Sequence, residues 1–191
     1  MSEKQDTRMA RVVLSGVDSA RRSAIVDDGP TTTWAERPDG SVVMDLWRSD
    51  ALPVNVDDKP TLTGEVLDVP RGGVVVRMCT FAPNTDMDAA AYAAAITEVY
   101  GRQPDSDEVD GVPGMHRTDS VDVVTVIDGE IHAVLERTET LLRTGDCFVQ
   151  RGTVHAWHNR SGRPATVVST MVSATRAASA DRGESPPTLH E

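Results

Sequence analysis

The sequence has few cysteines, a shortage of positive charge and no long apolar run. Its two cysteines, Cys79 and Cys147, form no C-x-x-C pair, so neither a disulfide framework nor a cysteine zinc site is predicted. The 19 Lys and Arg residues against 30 Asp and Glu residues give a formal net charge of -11. This balance argues against sequence-independent binding to nucleic acid or to an anionic membrane surface. No stretch approaches the roughly 20 apolar residues that a membrane-spanning helix needs.

Other common signals are missing as well. The N-terminus, MSEKQDTRMARVV, has no apolar stretch after its charges, which does not fit a secretory signal and favours a cytoplasmic location. The sequence contains no P-loop, no G-x-S-x-G, no H-E-x-x-H and no G-x-G-x-x-G after a predicted strand. With nucleic acid and membranes disfavoured too, a small molecule is the expected partner.

The segments that are present resemble short strands. They are rich in Val, Ile and Thr and are separated by Gly, Pro, Asp and Asn, which is the pattern of an all-β sandwich or barrel. The candidate strands cover residues 11–15, 42–47, 62–69, 73–82, 121–127, 130–136, 147–150, 154–159 and 165–172. Asp128 and Gly129 predict a two-residue hairpin turn, because Gly tolerates the positive φ of a type I′ turn. The 191 residues have room for one such domain.

One segment interrupts the strand pattern, and both ends of the chain lack any pattern. Alanine-rich residues at about 86–101 predict a single inserted helix. Tyr92 lies in this helix and is a candidate for the substrate pocket, with packing as the alternative use. Residues 1–9 are polar and residues 176–191 mix Ala, Ser, Pro and charge, so both predict disordered tails.

Four of the five histidines fall between residues 116 and 158, and none precedes them. The first of them begins a stretch with polar residues at every second position. In an extended strand alternate side chains share a face, so His116, Thr118, Ser120 and Asp122 would point the same way. A histidine, two hydroxyls and a carboxylate along one strand face indicate a functional site.

A second predicted strand adds another histidine to this set. The same parity puts His155 and Trp157 on one face, with His158 on the other. If the two strands are neighbours in one barrel, His116, Asp122 and His155 converge. Two imidazoles and one carboxylate are the facial triad of non-haem Fe(II) sites, and they also suit Zn, Mn or Ni with open positions.

The spacing of these residues resembles the two motifs of the cupin superfamily. In the first motif, G-x5-H-x-H-x3,4-E-x6-G, the last four marked positions are His116, Thr118, Asp122 and Gly129. The second motif, G-x5-P-x-G-x2-H-x3-N, is matched by Gly145, Arg151, Gly152, His155 and Asn159, with one residue fewer before the second Gly. The resemblance covers residues 110–175 and implies a single cupin jelly-roll barrel, completed by strands and the helix within 10–109. Asn159 is expected to fix the turn after its strand through backbone hydrogen bonds.

Two positions depart from the usual cupin pattern. Thr118 stands where most metal-binding cupins have their second His, and Asp122 stands where they have Glu. The resemblance therefore implies at most three protein ligands, His116, Asp122 and His155, for a divalent Fe, Zn, Mn or Ni ion. A metal-free barrel is the alternative, with either histidine as general acid or base and Asp122 orienting the imidazole.

Three functions are compatible with these residues. The first is a metal-assisted enzyme of lyase or cyclase type, which decarboxylates, dehydrates or isomerises an oxygenated or aromatic secondary metabolite. The second is an Fe(II) dioxygenase at the same site, and the third is a non-catalytic small-ligand-binding protein. Thr118, Gln150, Trp157 and Tyr92 are the residues expected in the substrate pocket. Because cupins commonly pair the edges of long strands, the resemblance also implies a homodimer.

Overall fold

The computed structural model describes residues 9–37, 39–66, 68–83, 112 and 114–176, and these residues form strands and loops. The strands, in chain order, are β1 (Arg11–Val17), β2 (Ser23–Pro30), β3 (Thr33–Glu36), β4 (Val42–Ser49), β5 (Val74–Phe81), β6 (Ser120–Asp128), β7 (Glu130–Leu135), β8 (Glu139–Arg143), β9 (Cys147–Arg151), β10 (His155–His158) and β11 (Ala165–Ser173). The prediction of an all-β fold is confirmed. Within the described ranges, no helix is long and apolar enough to cross a membrane.

Part of the sequence-based prediction falls on other residues. The predicted helix at about 86–101, including Tyr92, lies outside the described residues. The same holds for residues 1–8 and 177–191, which make up almost all of the two predicted tails.

Two antiparallel sheets face each other across a shared core. The larger has the order β3-β4-β5-β11-β6-β9, the smaller has the order β10-β7-β8, and β1 and β2 form a separate two-stranded sheet. Burial alternates residue by residue along β5 and along most of β6, as expected for strands with one face in a core. The apolar side chains that meet in the core come from both sheets: Val43, Val66, Cys79, Phe81, Val124, Val126, Ile131, Ala133, Leu142, Ala165 and Val167. Burial of one large aliphatic side chain contributes about 1.5–3 kcal/mol, so this cluster is the main source of stability.

Three strands were not predicted, and one predicted strand is a loop. β2 and β8 carry too much charge, and β3 is too short, for an alternating apolar pattern to show. The prediction for residues 62–69 is wrong, because residues 62–66 and 68–69 do not form a strand. Gly64 adopts a φ of +83°, which interrupts the run, and its N–H bonds to Thr33 Oγ1 at 3.0 Å. Val66 nevertheless reaches the core, so burial without strand pairing explains its apolar character.

The turn at Asp128 and Gly129 connects the two sheets, and the predicted hairpin is wrong. β6 pairs with β11 and β9, whereas β7 pairs with β10 and β8. Gly129 does have the expected positive φ, +81°. A Cβ at this position would lie 2.9 Å from both Pro164 O and Ala165 Cα. Only glycine fits where the chain passes from one sheet to the other.

Asn159 fixes the chain after β10, as predicted. Its amide nitrogen donates to Phe81 O and to Arg163 O, each at 2.9 Å. Its amide oxygen accepts from the backbone N–H of Ser161 at 3.0 Å and from the Ser161 hydroxyl. The side chain is fully buried, so these bonds satisfy a group that would otherwise be costly to bury.

Candidate functional site

The interior between the two sheets is apolar at one end and polar at the other. Met171, Asp122 and Gln150 lie side by side on β11, β6 and β9 in one row across the larger sheet. One row further along, Arg77 on β5 lies opposite Ser169 on β11. The four polar side chains among these are all buried. Because buried polar groups are costly unless they find partners, the polar end is the candidate functional site.

His116 and His155 meet at this end. They form an isolated antiparallel bridge, in which each backbone N–H donates to the other residue's carbonyl at 2.9 Å. Residues directly opposite each other in such a bridge present their side chains on the same face. The two imidazole rings accordingly lie with their centroids 4.4 Å apart, at an angle of 44°. The structure thus places together two of the three residues that the sequence singles out as ligands.

Hydrogen bonds orient both rings. His116 Nδ1 lies 2.9 Å from Gly114 O, and because a carbonyl only accepts, Nδ1 carries a proton, so that Nε2 has a lone pair whenever the ring is neutral. His155 Nδ1 lies 3.0 Å from Thr153 O and 2.9 Å from the amide nitrogen of Gln150. One tautomer of His155 donates to Thr153 and leaves Nε2 unprotonated, while the other accepts from Gln150 and protonates Nε2.

Gln150 cannot turn away from this arrangement. Its amide oxygen accepts from the backbone N–H of Gly152 at 2.6 Å, and its amide nitrogen donates to Thr153 O at 2.6 Å. The side chain is 1% exposed. Gln150 was expected only to line the pocket, but it also holds the segment that carries His155.

His155 is neutral throughout the physiological pH range. Burial, and next the charge on neighbouring His116, lower its pKa from 6.5 to about 3. A ring that does not take up a proton keeps a nitrogen lone pair available for a metal ion or a substrate hydrogen bond. Because its ring is neutral near pH 7, His155 is a poor proton donor, which disfavours it as a general acid.

This shift makes the stability of the metal-free protein depend on pH. The unfolded chain binds a proton at His155 below pH 6.5, whereas the folded ring stays neutral down to about pH 3. Stability is therefore lost as the pH falls through this window, by about 2 kcal/mol between pH 7 and pH 5. Urea unfolding at both pH values should show this loss in the wild type and not in His155→Gln. His158→Gln, on the other face of β10, should keep the wild-type loss, and an equal loss in all three proteins would contradict the assignment.

Asp122 has an oxygen without a partner. The residue is 4% exposed, and its Oδ1 makes no hydrogen bond within the described part of the chain. Burial raises the pKa of this carboxyl, against the opposing effects of a hydrogen bond from Ser120 and the charge of Arg77. A buried carboxylate oxygen without a hydrogen bond is destabilising, so a ligand that contacts Oδ1 is the best explanation for its presence.

A second buried carboxylate, which the sequence analysis did not single out, is fully paired. Asp45 on β4 accepts from Arg77 Nε at 2.6 Å and from Arg77 Nη2 at 3.2 Å. Asp45 is 0% and Arg77 8% exposed. Both residues lie within predicted strands and share parity with apolar core neighbours, Val43 and Cys79. That parity was the available signal, but the pairing of β4 with β5 was needed to bring the charges together.

The other predicted site residues are placed less centrally. Thr118 is half-buried and its hydroxyl accepts from Ser120 Oγ at 2.8 Å. Trp157 meets the ring of His155 edge to face at 5.9 Å and also packs on the apolar core. The predicted common strand from His116 to Asp122 begins only at Ser120, because the chain crosses between the sheets at residues 117–119.

The donor set fits a divalent metal ion in part. Metal-binding histidines usually donate their second ring nitrogen to a backbone carbonyl, as His116 does and as one tautomer of His155 does. Asp122, with its orphan oxygen, is a third donor of suitable chemistry. Within the described residues, however, no group of three or more His, Cys, Asp and Glu side chains is arranged to hold a metal. The two imidazoles are therefore the preformed part of the site.

Comparisons with known proteins match parts of the chain. No protein-family model matches the sequence. A stretch of 58 residues, 28% of the chain, is 53% identical to phomopsin biosynthesis cluster protein C' of Diaporthe leptostromiformis and covers 31% of that protein. A stretch of 91 residues, 47% of the chain, is 33% identical to the cupin-domain-containing oxidoreductase virC of Hypocrea virens and covers 34% of it. The chain is thus similar over part of its length to a cupin-domain protein.

Similarity to solved structures is weaker. The cupin domain of Schizosaccharomyces pombe Cnp3 aligns with 87% of this chain and 89% of that domain, at 8% identity and a TM-score of 0.45. The matched segments span about a third of the length of the two curated relatives. The sequence relatives include proteins named for biosynthesis clusters, so part of this chain is similar to proteins of secondary metabolism.

Proposed function

We propose that this protein is an enzyme that binds a divalent metal ion through His116 and His155 and transforms an oxygenated or aromatic metabolite. The proposed reaction is of lyase or cyclase type: decarboxylation, dehydration or isomerisation. The observation that carries the proposal is the pair of imidazoles, 4.4 Å apart at the polar end of the barrel. The low pKa of His155 means that protons do not compete with a metal for this ring near neutral pH.

Each residue of the polar end has a defined part in this proposal. When bound, a divalent ion would polarise a carbonyl or carboxylate of the substrate and stabilise the enolate charge that develops there. Asp122, with its buried and unbonded Oδ1, would be the third donor to the ion. Gln150 keeps His155 in place, and Trp157 offers an aromatic edge to the ligand side of the site.

The names of the relatives support the choice of substrate class. Proteins named for phomopsin biosynthesis share 53% identity over 58 residues with this chain. A small metabolite of a biosynthesis cluster is therefore the proposed substrate. A cleft of about 1110 Å³ that includes Thr118 is lined by charges of both signs, and its Arg176 pairs with Asp119 at 2.6 Å.

Metal analysis of protein purified without chelator tests the proposal. We expect close to one equivalent of Fe, Zn, Mn or Ni, and turnover of a panel of phenols and hydroxy- or keto-acids that chelators abolish. Asp122→Asn should lower metal affinity and turnover and at the same time raise the free energy of unfolding at pH 7, because a costly buried charge is removed. Failure of all four metals to bind, in purified and in reconstituted protein, would overturn the proposal and leave the metal-free acid–base barrel and the binding protein as alternatives.

A second function is an Fe(II) dioxygenase at the same residues. The 33% identity to a protein named as an oxidoreductase favours it. Two histidines and a carboxylate leave open positions at which substrate and oxygen both bind. Substrate turnover measured under air and under argon separates the two reactions. Equal rates support the lyase, and a rate that requires oxygen, with oxygen consumed in proportion to substrate, supports the dioxygenase.

A further inference from the structure

One arginine connects the two chain segments that carry the histidines of the polar end. Arg176 lies just beyond β11, and its guanidinium contacts residues 117–119, which follow His116, and the turn that precedes His155. Arg176 stands at the start of the segment for which a disordered tail is predicted. Its partners lie 24, 57 and 58 positions away along the chain, so no local pattern reveals the contact.

The guanidinium makes three hydrogen bonds to these segments. Its Nη2 donates to Gly152 O at 2.7 Å and to Thr118 O at 3.0 Å. Its Nε donates to the carboxylate of Asp119 at 2.6 Å. A planar guanidinium holds several acceptors in fixed directions, which the point charge of a flexible lysine does not do. We call these three hydrogen bonds the clamp.

The clamp is built on a fixed strand end. Ala174 N donates to Asp119 O at 2.9 Å, and Ser173 N donates to Gly73 O at 3.0 Å. The chain that leads to Arg176 is therefore held by backbone hydrogen bonds in two directions at the end of β11. A guanidinium presented from such a base fixes the position of the segments that it contacts.

Gly152 shows how closely the segments approach each other at the clamp. Its φ is +62°, and a Cβ there would lie 3.0 Å from Thr118 O and 3.1 Å from Arg176 Nη2. Its N–H donates at 2.6 Å to Gln150, whose amide nitrogen contacts the ring of His155. Arg176 on the carbonyl and Gln150 on the N–H thus hold this turn from two sides.

The contact between the two histidines has little support of its own. His116 is joined to His155 by one isolated bridge with two backbone hydrogen bonds, and not by a ladder of neighbouring pairs. Local opening is easiest where few contacts hold the chain. Separation of the two segments would also separate the imidazole rings, whose centroids are 4.4 Å apart.

We propose that Arg176 is a positioning residue, which keeps the imidazoles of His116 and His155 close enough together to share one ligand. It acts through the carbonyls of Thr118 and Gly152, one in each of the two segments. The spacing of the rings is a property of the metal-free chain. Its consequence for metal binding rests on the proposed function.

Amide hydrogen exchange of the metal-free full chain, followed residue by residue by NMR, tests the proposal. In Arg176→Gln the amides of His116 and His155, which form the bridge, should exchange faster than in the wild type by about 10-fold or more. The amide of Val126, which donates to Asp146 O, should exchange at the wild-type rate. Equal acceleration of all three amides would indicate a general loss of stability and overturn the proposal.

Two further variants separate geometry from charge. Arg176→Lys keeps the positive charge, but its nitrogen ends one bond short of the position of Nη2, so its bridge amides should exchange as fast as those of Arg176→Gln. Arg163→Gln removes an arginine that pairs with Asp128 at 3.3 Å on the exposed surface, and it should exchange as the wild type does. Slow, wild-type exchange of the two histidine amides in either Arg176 variant overturns the proposal.

Titration with Zn²⁺ at pH 7 measures the consequence for the proposed metal site. Loss of a residue that orients metal ligands costs about 10–100-fold in affinity, and Arg176→Gln should fall within this range. A wild type that binds no metal contradicts the proposed function, while amide exchange still decides whether the clamp holds the rings. Equal Zn²⁺ affinity of the wild type and Arg176→Gln overturns the role of Arg176 as a positioning residue.

Discussion

Divalent metal binding should weaken at least 100-fold when His155 is replaced with alanine. A substitution in the residues that merely orient a metal ligand costs about 10–100-fold in affinity, and removal of one of two preformed imidazoles costs more. Burial lowers the pKa of His155 and keeps its ring neutral, so a change of pH cannot compensate for the loss of this ring. Isothermal titration with Zn²⁺, Mn²⁺ and Ni²⁺ at pH 7 measures the change.

Two further variants serve as controls for this measurement. His158→Ala removes the other histidine of β10, which lies on the opposite strand face, and should bind metal as the wild type does. His116→Ala should weaken binding to a similar degree as His155→Ala. Should the His155 variant retain wild-type affinity, the metal lies elsewhere and the proposed function fails with it.

Replacement of Asp45 with alanine should lower the free energy of unfolding by about 3–5 kcal/mol. The substitution leaves Arg77, which is 8% exposed, as a buried charge without its bidentate partner. The attraction between two such buried charges does not exceed their desolvation cost by much, so the loss comes from a buried guanidinium that has lost its two hydrogen bonds to Asp45. Urea unfolding at pH 7 is the measurement.

The design of this experiment includes a rescue and a matched surface pair. Asp45→Leu/Arg77→Met removes both charges and should recover most of the lost stability. Glu139→Ala breaks a bidentate pair of similar geometry with Arg160, 2.6 and 2.7 Å, at the solvent-exposed surface. It should leave the unfolding midpoint almost unchanged. A small effect of Asp45→Ala would mean that Arg77 finds another partner in the barrel.

The histidine pair could be predicted because the sequence resembles two motifs of a known family. Those motifs put His116 and His155 at corresponding places, and the structure brings their rings together. Strand parity predicted that Asp122 faces inward, and it is buried. Only the prediction for Asp122 follows from the period of a β-strand, which is fixed by the backbone.

Features that depend on sheet order could not be predicted in this way. The Asp45–Arg77 pair requires β4 to lie beside β5 in one register, and nothing in either segment specifies its neighbour. The turn at Gly129 shows the same limit, since positive φ suits a hairpin and a crossing between sheets equally well. For residues 62–69, burial of Val66 in the core produced an apolar signal without a strand.

The filled apolar end of the barrel has a kinetic consequence. Phe81, Ala165 and their neighbours pack that end, and Asn159 ties Phe81 to the chain after β10. For the enzyme proposed above, substrate and product would both pass the polar end with its two histidines. The product would then occupy the route of the next substrate molecule until it departs, and it would compete with its own precursor.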